Sequence, residues 1–192
     1  VLWKNQATGC IERVQEMLER VLDGGRLKLE AIGDQLVLKI NSVDDNNYYR
    51  PANVGYGYSY ILSLITAAVL APTGSFIIVE NPEAHLHPAA QAKIMNELMV
   101  VTKERDIQLI VETHSDHVLN TALRAVNEHR LNVDELEVLF FSNSTNSDKM
   151  PETKVRNLEV NERGHILNPP KQFFEQYSID LRALYTPPTR HE

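Results

Sequence analysis

The sequence has one cysteine, no long apolar run and no surplus of basic residues. A single cysteine, Cys10, among 192 residues excludes an internal disulfide and a cysteine-rich metal cluster, and it is typical of the reducing cytoplasm. No segment approaches the ~18 consecutive apolar residues of a membrane-spanning helix, and the first residues lack the pattern of a signal peptide. We therefore expect a soluble cytoplasmic protein without a membrane anchor.

Charge also limits the partners of this chain. The formal net charge is −7, and lysines and arginines are not clustered anywhere along the sequence. A surface that binds nucleic acid needs such clusters to neutralise phosphates. Strong direct binding of nucleic acid by this chain alone is therefore not expected, although a basic partner or another part of the same polypeptide could supply it.

A phosphate-binding P-loop is missing as well. That turn has the pattern Gly-x-x-x-x-Gly-Lys-Ser/Thr, in which backbone amides and the lysine hold phosphates. No lysine in this sequence follows a glycine, and the first residue is Val1 rather than methionine. We expect the chain to be a fragment of a longer protein.

Apolar strands alternate with helices through the middle of the sequence, which predicts an α/β fold with a parallel sheet covered by helices on both faces. A β-hairpin precedes this region, and a polar loop over residues 41–53 follows the hairpin. The predicted elements are helices over residues 9–23, 54–72, 88–105, 114–129 and 171–185, and strands over 26–31, 34–40, 75–80, 107–113, 136–141 and 154–166, with loops at 143–152 and 186–192.

Polar residues follow three of the predicted strands. They are Glu80 and Asn81 after the first, residues 112–114 after the second, and Ser142 and Asn143 after the third. Ligands of open α/β sheets bind beyond the carboxyl ends of the strands. A carboxylate there can hold magnesium through water, and a histidine one strand away can contact the phosphate that the ion neutralises. This pattern predicts an edge that binds phosphate.

Three segments together resemble the ABC and SMC-like ATPase heads. "FIIVENPEAHLHP" is similar to their Walker B strand and the loop after it, "LIVETHS" to their switch histidine, and "NVGYGYSYILSLI" to their signature loop and helix. More narrowly, the set resembles bacterial AAA-family ATPases related to the overcoming-lysogenisation-defect proteins. The resemblance covers roughly residues 1–185 and implies a P-loop NTPase-like fold, ATP and Mg2+ as ligands, and a dimer of two heads.

The resemblance implies roles for the residues after the two strands. Glu80 corresponds to the acid that positions magnesium through water, and His114 to the histidine that contacts the γ-phosphate. Asn81 stands where a glutamate usually activates the attacking water, and an amide cannot accept that proton. Either Glu83 orients the water, or turnover is slow and ATP acts mainly as a clamp. We favour slow turnover.

Other implied roles concern the partner head. Gly55, Gly57 and Ser59 correspond to the signature, whose backbone amides and hydroxyl at a helix start would grip the γ-phosphate held by the second subunit. His85 and His87 fall in the loop that crosses to that subunit. ATP would then join two heads, most simply as a homodimer.

The resemblance also implies that one part of an ATPase head is missing from this sequence. The chain has the signature, Walker B and switch segments without the P-loop, as in the carboxyl-terminal part of one ATPase domain. We expect the missing amino-terminal half to cover one face of the sheet, which would otherwise be partly bare, and we expect the isolated chain to bind ATP weakly. Related proteins suggest phage defence beside a nuclease partner.

Two alternatives remain. Four histidines in H-x-H and H-x-x-H spacing could hold a transition metal in a hydrolase or nuclease; they are His85, His87, His114 and His117. The chain could also be a nonhydrolytic scaffold that uses ATP as a clamp. The ATPase interpretation requires Glu80 and His114 to follow neighbouring parallel strands.

Overall fold

The computed structural model describes residues 8–22, 24–41, 47–145, 150–171, 173–174 and 176–185. The predicted tail at 186–192 lies outside these residues, as does part of the loop at 41–53. The helices are α1 Thr8–Leu22, α2 Tyr56–Leu70, α3 Pro88–Glu104, α4 Asp116–Asn127 and α5 Gln176–Tyr185; the strands are β1 Arg26–Ile32, β2 Gln35–Asn41, β3 Phe76–Glu80, β4 Gln108–Glu112, β5 Val138–Thr145 and β6 Pro151–Leu158. Two 3₁₀ turns, Pro51–Asn53 and Val133–Glu135, complete the elements.

The chain divides into two compact units, Val1–Thr121 and Ala122–Glu192. The first unit carries the helical core. The residues of helix α2 after Ser63 are nearly all apolar, so the helix has almost no polar face. It is consequently buried between α1 and α3. Its buried side chains join those of α1, α3 and β2 in one cluster, consisting of Val14, Met17, Leu18, Val21, Ile40, Ile61, Leu62, Ile65, Ala68, Val69, Ile94, Leu98 and Val101.

The hairpin and the helix starts follow the sequence closely. β1 and β2 pair antiparallel with Ile32 opposite Gln35, so that Gly33 and Asp34 form the predicted turn. Gly33 has a φ of +59°, a backbone conformation that glycine adopts without steric cost. Pro88 begins α3, where its missing N–H costs nothing. These predictions are confirmed.

Strands β3 and β4 form a parallel pair in which one face is covered and the other is exposed. Ile77 and Leu109 pack against the core, and Val79 is buried. Phe76, Ile78 and Ile110 point to the opposite face and are exposed to solvent. Among the described residues, one face of this sheet is covered and the other is bare, as we expect for a chain that lacks the amino-terminal half of the domain. An exposed apolar face of this kind usually marks a surface that another element covers.

The second unit corrects the prediction of a third parallel strand. β5 pairs antiparallel with β6, with Ser142 opposite Lys154 and Asn143 opposite Thr153. Ser142 and Asn143 consequently lie inside a strand and do not end one. The loop predicted at 143–152 was wrong at both ends, because cross-strand pairing extends regular structure into its polar residues. Polar side chains do not prevent strand formation when the partner strand satisfies the backbone.

Helix α5 begins at Gln176, five residues later than predicted. Among the described residues, no helix is both long enough and apolar enough to cross a membrane.

Candidate functional site

The carboxyl ends of β3 and β4 bring the predicted site residues together. The strands are parallel neighbours with Glu80 in register with Glu112. The backbone N–H of Asn81 donates a hydrogen bond to the Glu112 carbonyl oxygen at 2.9 Å. His114 follows two residues after Glu112. The geometric requirement that Glu80 and His114 follow neighbouring parallel strands is met. Because register partners share a face, the Glu80 and Glu112 carboxylates both lie on the bare face of the sheet.

The segment after β3 turns sharply through two left-handed residues. Asn81 has a φ of +49° and His85 a φ of +62°. The turn is held by hydrogen bonds from the Ala84 amide to the Asn81 carbonyl and from the Leu86 amide to the Glu83 carbonyl, both at 3.0 Å. Asparagine tolerates this conformation better than glutamate, because its short polar side chain can bond locally. The backbone thus offers a physical reason for an asparagine at position 81, where the sequence resemblance implies a glutamate.

Both carboxylate oxygens of Glu83 bond to residues at the end of the neighbouring strand. Its Oε2 accepts a hydrogen bond from the Thr113 hydroxyl at 2.7 Å, and its Oε1 accepts one from the His114 backbone N–H at 2.8 Å. The carboxylate therefore joins the segment after β3 to the turn after β4. The sequence pattern offers Glu83 as a residue that orients water, and it does not predict these two hydrogen bonds.

The turn after β4 places His114 at the surface and starts the next helix. The His114 side chain is 81% exposed, and its Nε2 lies 4.0 Å from Glu112 Oε1. Ser115 is the cap of α4, since its hydroxyl accepts from the amides of His117 and Val118 at 3.1 and 3.3 Å.

The start of α2 carries the predicted signature residues. Gly55 is the N-cap residue of α2, and as a glycine it has no side chain that could cap the helix. A Cβ on Gly57 would lie 2.9 Å from the His85 carbonyl oxygen, so this glycine allows the close approach of α2 to the segment after β3. The Ser59 hydroxyl donates to the Pro51 carbonyl at 3.2 Å.

Two tyrosines on α2 were missed by the sequence analysis. The Tyr60 hydroxyl donates to the carbonyl oxygens of Glu80 at 2.7 Å and Asn81 at 3.1 Å, and the Tyr56 ring packs edge-on against His85 with centroids 4.6 Å apart. Burial raises the pKa of the Tyr60 phenol, and the charge of Glu83 adds to this shift. The signal that could have found the tyrosines is their spacing of four, which places them on one face of the helix.

The histidines do not form the alternative metal site. His87 caps α3, with Nδ1 accepting from the Ala89 amide at 3.4 Å, while His85 packs on Tyr56 and His114 lies beside Glu112. In the part of the chain that the structure describes, no group of three or more histidine, cysteine, aspartate or glutamate side chains is arranged to hold a metal ion. The four-histidine alternative therefore has no geometric support.

A comparison with models of known protein families identifies the family of this chain. Residues 11–120, more than half of the chain, match the family described as "AAA domain, putative AbiEii toxin, Type IV TA system". The chain belongs to this AAA-domain family. A second family, described as "Protein of unknown function (DUF3696)", matches residues 131–184 of the AAA-domain chain. No curated protein matches its sequence.

Solved ATPase heads share the fold of this AAA-domain chain. One comes from work on ATP-driven dimerization and DNA-stimulated activation of SMC ATPases; it is 15% identical with a TM-score of 0.57, and the alignment covers 90% of this chain and 91% of that one. An Smc head bound to the C-winged helix domain of ScpA is 16% identical with a TM-score of 0.56, covering 80% and 43%. A third, the Smc head domain with an extended coiled coil bound to the C-terminal domain of ScpA derived from Pyrococcus furiosus, is 15% identical with a TM-score of 0.54, covering 92% and 38%.

The AAA-domain chain spans less than half the length of the second and third of these structures. At such identities the similarity establishes a common fold, the SMC-type and ABC-type ATPase head, and it confirms the fold predicted from the sequence.

The site residues of the AAA-domain chain fit part of a magnesium nucleotide. Glu80 and Glu112 present exposed carboxylate oxygens side by side, which are the ligands that a hydrated magnesium ion prefers. At the start of α2 the Tyr58 amide bonds to the Gly55 carbonyl at 3.0 Å, and the amides of a helix's first turn favour a nearby anion. The sequence contains no P-loop to hold the remaining phosphates.

Proposed function

We propose that this chain is the carboxyl-terminal half of an ATPase head that binds ATP with magnesium and hydrolyses it slowly. The observation that carries the proposal is the position of Glu80 and His114 at the ends of parallel neighbouring strands. Glu80, beside Glu112, would hold magnesium, which supplies positive charge that stabilises the transferred phosphoryl group. His114 would donate to the γ-phosphate from the next strand.

The exposed face of the β3–β4 sheet supports the proposal that another half of the head exists. The exposed side chains of Phe76, Ile78 and Ile110 form an apolar face at the base of the candidate site. We infer that the P-loop half of the same domain covers this face, which would bring the phosphate-binding turn to the carboxyl ends of β3 and β4. ATP binding therefore depends on both halves.

A second head is proposed as the partner across ATP. Gly55, Gly57 and Ser59 lie at the start of α2, where a γ-phosphate held by the other head would meet backbone amides. His85 and His87 lie in the segment after β3, which α2 approaches closely where Gly57 meets the His85 carbonyl. ATP-driven dimerization, described for a similar SMC ATPase, is the precedent for such a homodimer. We further propose a cytoplasmic role in phage defence with a nuclease partner, in keeping with the sequence resemblance.

A nonhydrolytic ATP clamp is the second candidate, and Asn81 favours it. An asparagine amide at this position cannot act as the general base. The clamp and the slow ATPase share the dimer and the nucleotide site, and they differ only in turnover.

The test uses the isolated chain and the full-length protein in parallel. Isothermal titration should detect no micromolar, magnesium-dependent ATP binding by the isolated chain, whereas the full-length protein should bind ATP and dimerise with it. His114→Ala in the full-length protein should lower the ATPase rate. ATP-dependent dimerisation without any measurable hydrolysis would favour the clamp, and micromolar ATP binding by the isolated chain would refute the proposal that two halves are needed.

A further inference from the structure

We propose that Glu83 is a positioning residue that fixes the turn carrying His114 to the segment after β3, and that it does not orient the attacking water. The inference rests on the proposed ATPase function. Both carboxylate oxygens of Glu83 already accept hydrogen bonds, one from the Thr113 hydroxyl at 2.7 Å and one from the His114 amide at 2.8 Å. These two bonds fix the orientation of the carboxylate against the turn, so its direction is set by Thr113 and His114 and not by a water molecule.

A second set of hydrogen bonds closes this connection into a ring. Thr113 Oγ1 accepts from the Ser115 amide at 3.0 Å, and the Ser115 hydroxyl donates to Gln91 Oε1 at 2.6 Å. Gln91 Nε2 in turn donates to the Leu86 carbonyl at 2.9 Å, which lies three residues after Glu83. The segment 83–91 and the turn 113–115 are therefore joined at two points, and they should move as one body.

The exposed position of His114 explains why this matters. Its side chain is 81% exposed, and its Nε2 lies 4.0 Å from Glu112 Oε1. The direction of the His114 imidazole therefore depends on the backbone of the turn, and Glu83 holds that backbone. Because His85 belongs to the same body as Glu83, contact of a second head with His85 would also be transmitted to His114.

The chemistry of the side chain separates positioning from base catalysis. A glutamine at position 83 keeps one oxygen that can accept from the His114 amide, and its NH₂ group can donate to the Thr113 hydroxyl oxygen. Glutamine cannot take a proton from water at neutral pH. An aspartate keeps the charge but is one methylene shorter, so it cannot reach both partners.

The first measurement needs no nucleotide. Amide hydrogen exchange of His114 is followed by NMR in the 192-residue chain and in Glu83→Gln, Glu83→Asp and Glu83→Ala, with the core amide of Leu98 as a control for global stability. Exchange at His114 should accelerate about tenfold or more in the alanine and aspartate variants, the effect of losing a hydrogen bond to a charged group, and less than about threefold in the glutamine variant. Unchanged exchange in both the alanine and aspartate variants overturns the proposal.

The second measurement is steady-state ATPase kinetics in the full-length protein. Glu83→Ala should lower kcat about tenfold with KM within about twofold, Glu83→Gln should retain at least about a third of kcat, and Glu83→Ala with His114→Ala should be no slower than His114→Ala alone. A glutamine variant as inactive as the alanine variant, or effects that multiply in the double variant, overturns the proposal. If the wild-type protein shows no ATPase activity, the proposed function fails, while the exchange data still decide whether Glu83 holds the turn.

Discussion

The hydroxyl of Tyr60 donates a hydrogen bond to the carbonyl oxygen of Glu80, 2.7 Å away, and so joins helix α2 to the end of β3. The same hydroxyl lies 3.1 Å from the Asn81 carbonyl. The predicted signature helix and the predicted magnesium ligand are thus held together by a side chain to which the sequence analysis gave no role.

Tyr60→Phe removes this bond and leaves the ring in place. We expect the free energy of unfolding to fall by about 1 kcal/mol, since one partly buried hydrogen bond is lost and two carbonyls lose a donor. Urea denaturation followed by circular dichroism measures the change. Tyr185→Phe is the matched control, because the Tyr185 side chain is exposed at the end of α5. Equal effects of the two substitutions would contradict the assigned role.

The raised pKa of Tyr60 predicts a pH dependence with a definite sign. Burial, the charge of Glu83, the nearby Tyr56 and then Glu80 all favour the neutral phenol. Because the folded-state pKa of the Tyr60 phenol lies above its unfolded value, the folded protein holds this proton more tightly than the unfolded chain does. The stabilisation is therefore complete below the unfolded pKa of about 10 and is lost as pH rises from that value through the folded pKa. Denaturation between pH 8 and pH 11.5 should show a smaller decline in Tyr60→Phe than in the wild type.

Two glycines with similar backbone angles should differ sharply in their tolerance of alanine. Gly33 has a φ of +59° and open space where a Cβ would lie, whereas Gly164 has a φ of +69° and would place a Cβ 2.1 Å from the Leu123 carbonyl oxygen. Gly33→Ala should cost about 1 to 2 kcal/mol from the left-handed backbone alone. Gly164→Ala should cost about 3 kcal/mol or more, because a steric clash is added. Thermal denaturation of both variants checks this order, and a Gly164 variant as stable as the Gly33 variant would refute the close approach.

The bare face of the sheet can be tested with neighbouring residues. In the isolated chain, Ile78→Lys should change the free energy of unfolding by less than about 0.5 kcal/mol, because Ile78 is 61% exposed. Val79→Lys should unfold the chain, because Val79 is 4% exposed and faces the covered side. In the full-length protein, Ile78→Lys should become strongly destabilising and should abolish ATP binding. If Ile78→Lys is harmless there too, the P-loop half does not cover this face.

Asn81→Glu tests whether the missing carboxylate limits turnover. A general base contributes about a hundredfold or more to rate, so a correctly placed glutamate should raise kcat of the full-length protein at least about tenfold even if it is imperfectly aligned. The left-handed backbone at Asn81 should lower stability by about 1 kcal/mol at the same time. Asn81→Asp is the control with a shorter carboxylate. No gain in ATPase rate, with ATP binding intact, would support the clamp.

Much of the candidate site was predictable from local sequence. Glu80 and His114 each follow an apolar strand, and parallel strands place such residues at one edge. The bonding of Glu83 could not be predicted, because it depends on a contact between residues thirty and thirty-one positions apart. Tyr60 was missed for the same reason, as its partners lie twenty and twenty-one positions along the chain.

The amino-acid sequence by itself determined where helices α1 to α4 and strands β1 to β4 form. These elements depend on apolar spacing and on glycine and proline positions such as Gly33 and Pro88, which act within a few residues. Tertiary structure alone decided that β5 pairs antiparallel with β6 and that Glu83 is committed to the turn after β4. Pairing, burial and hydrogen bonding between distant segments depend on which surfaces meet, and local sequence patterns carry no information about that.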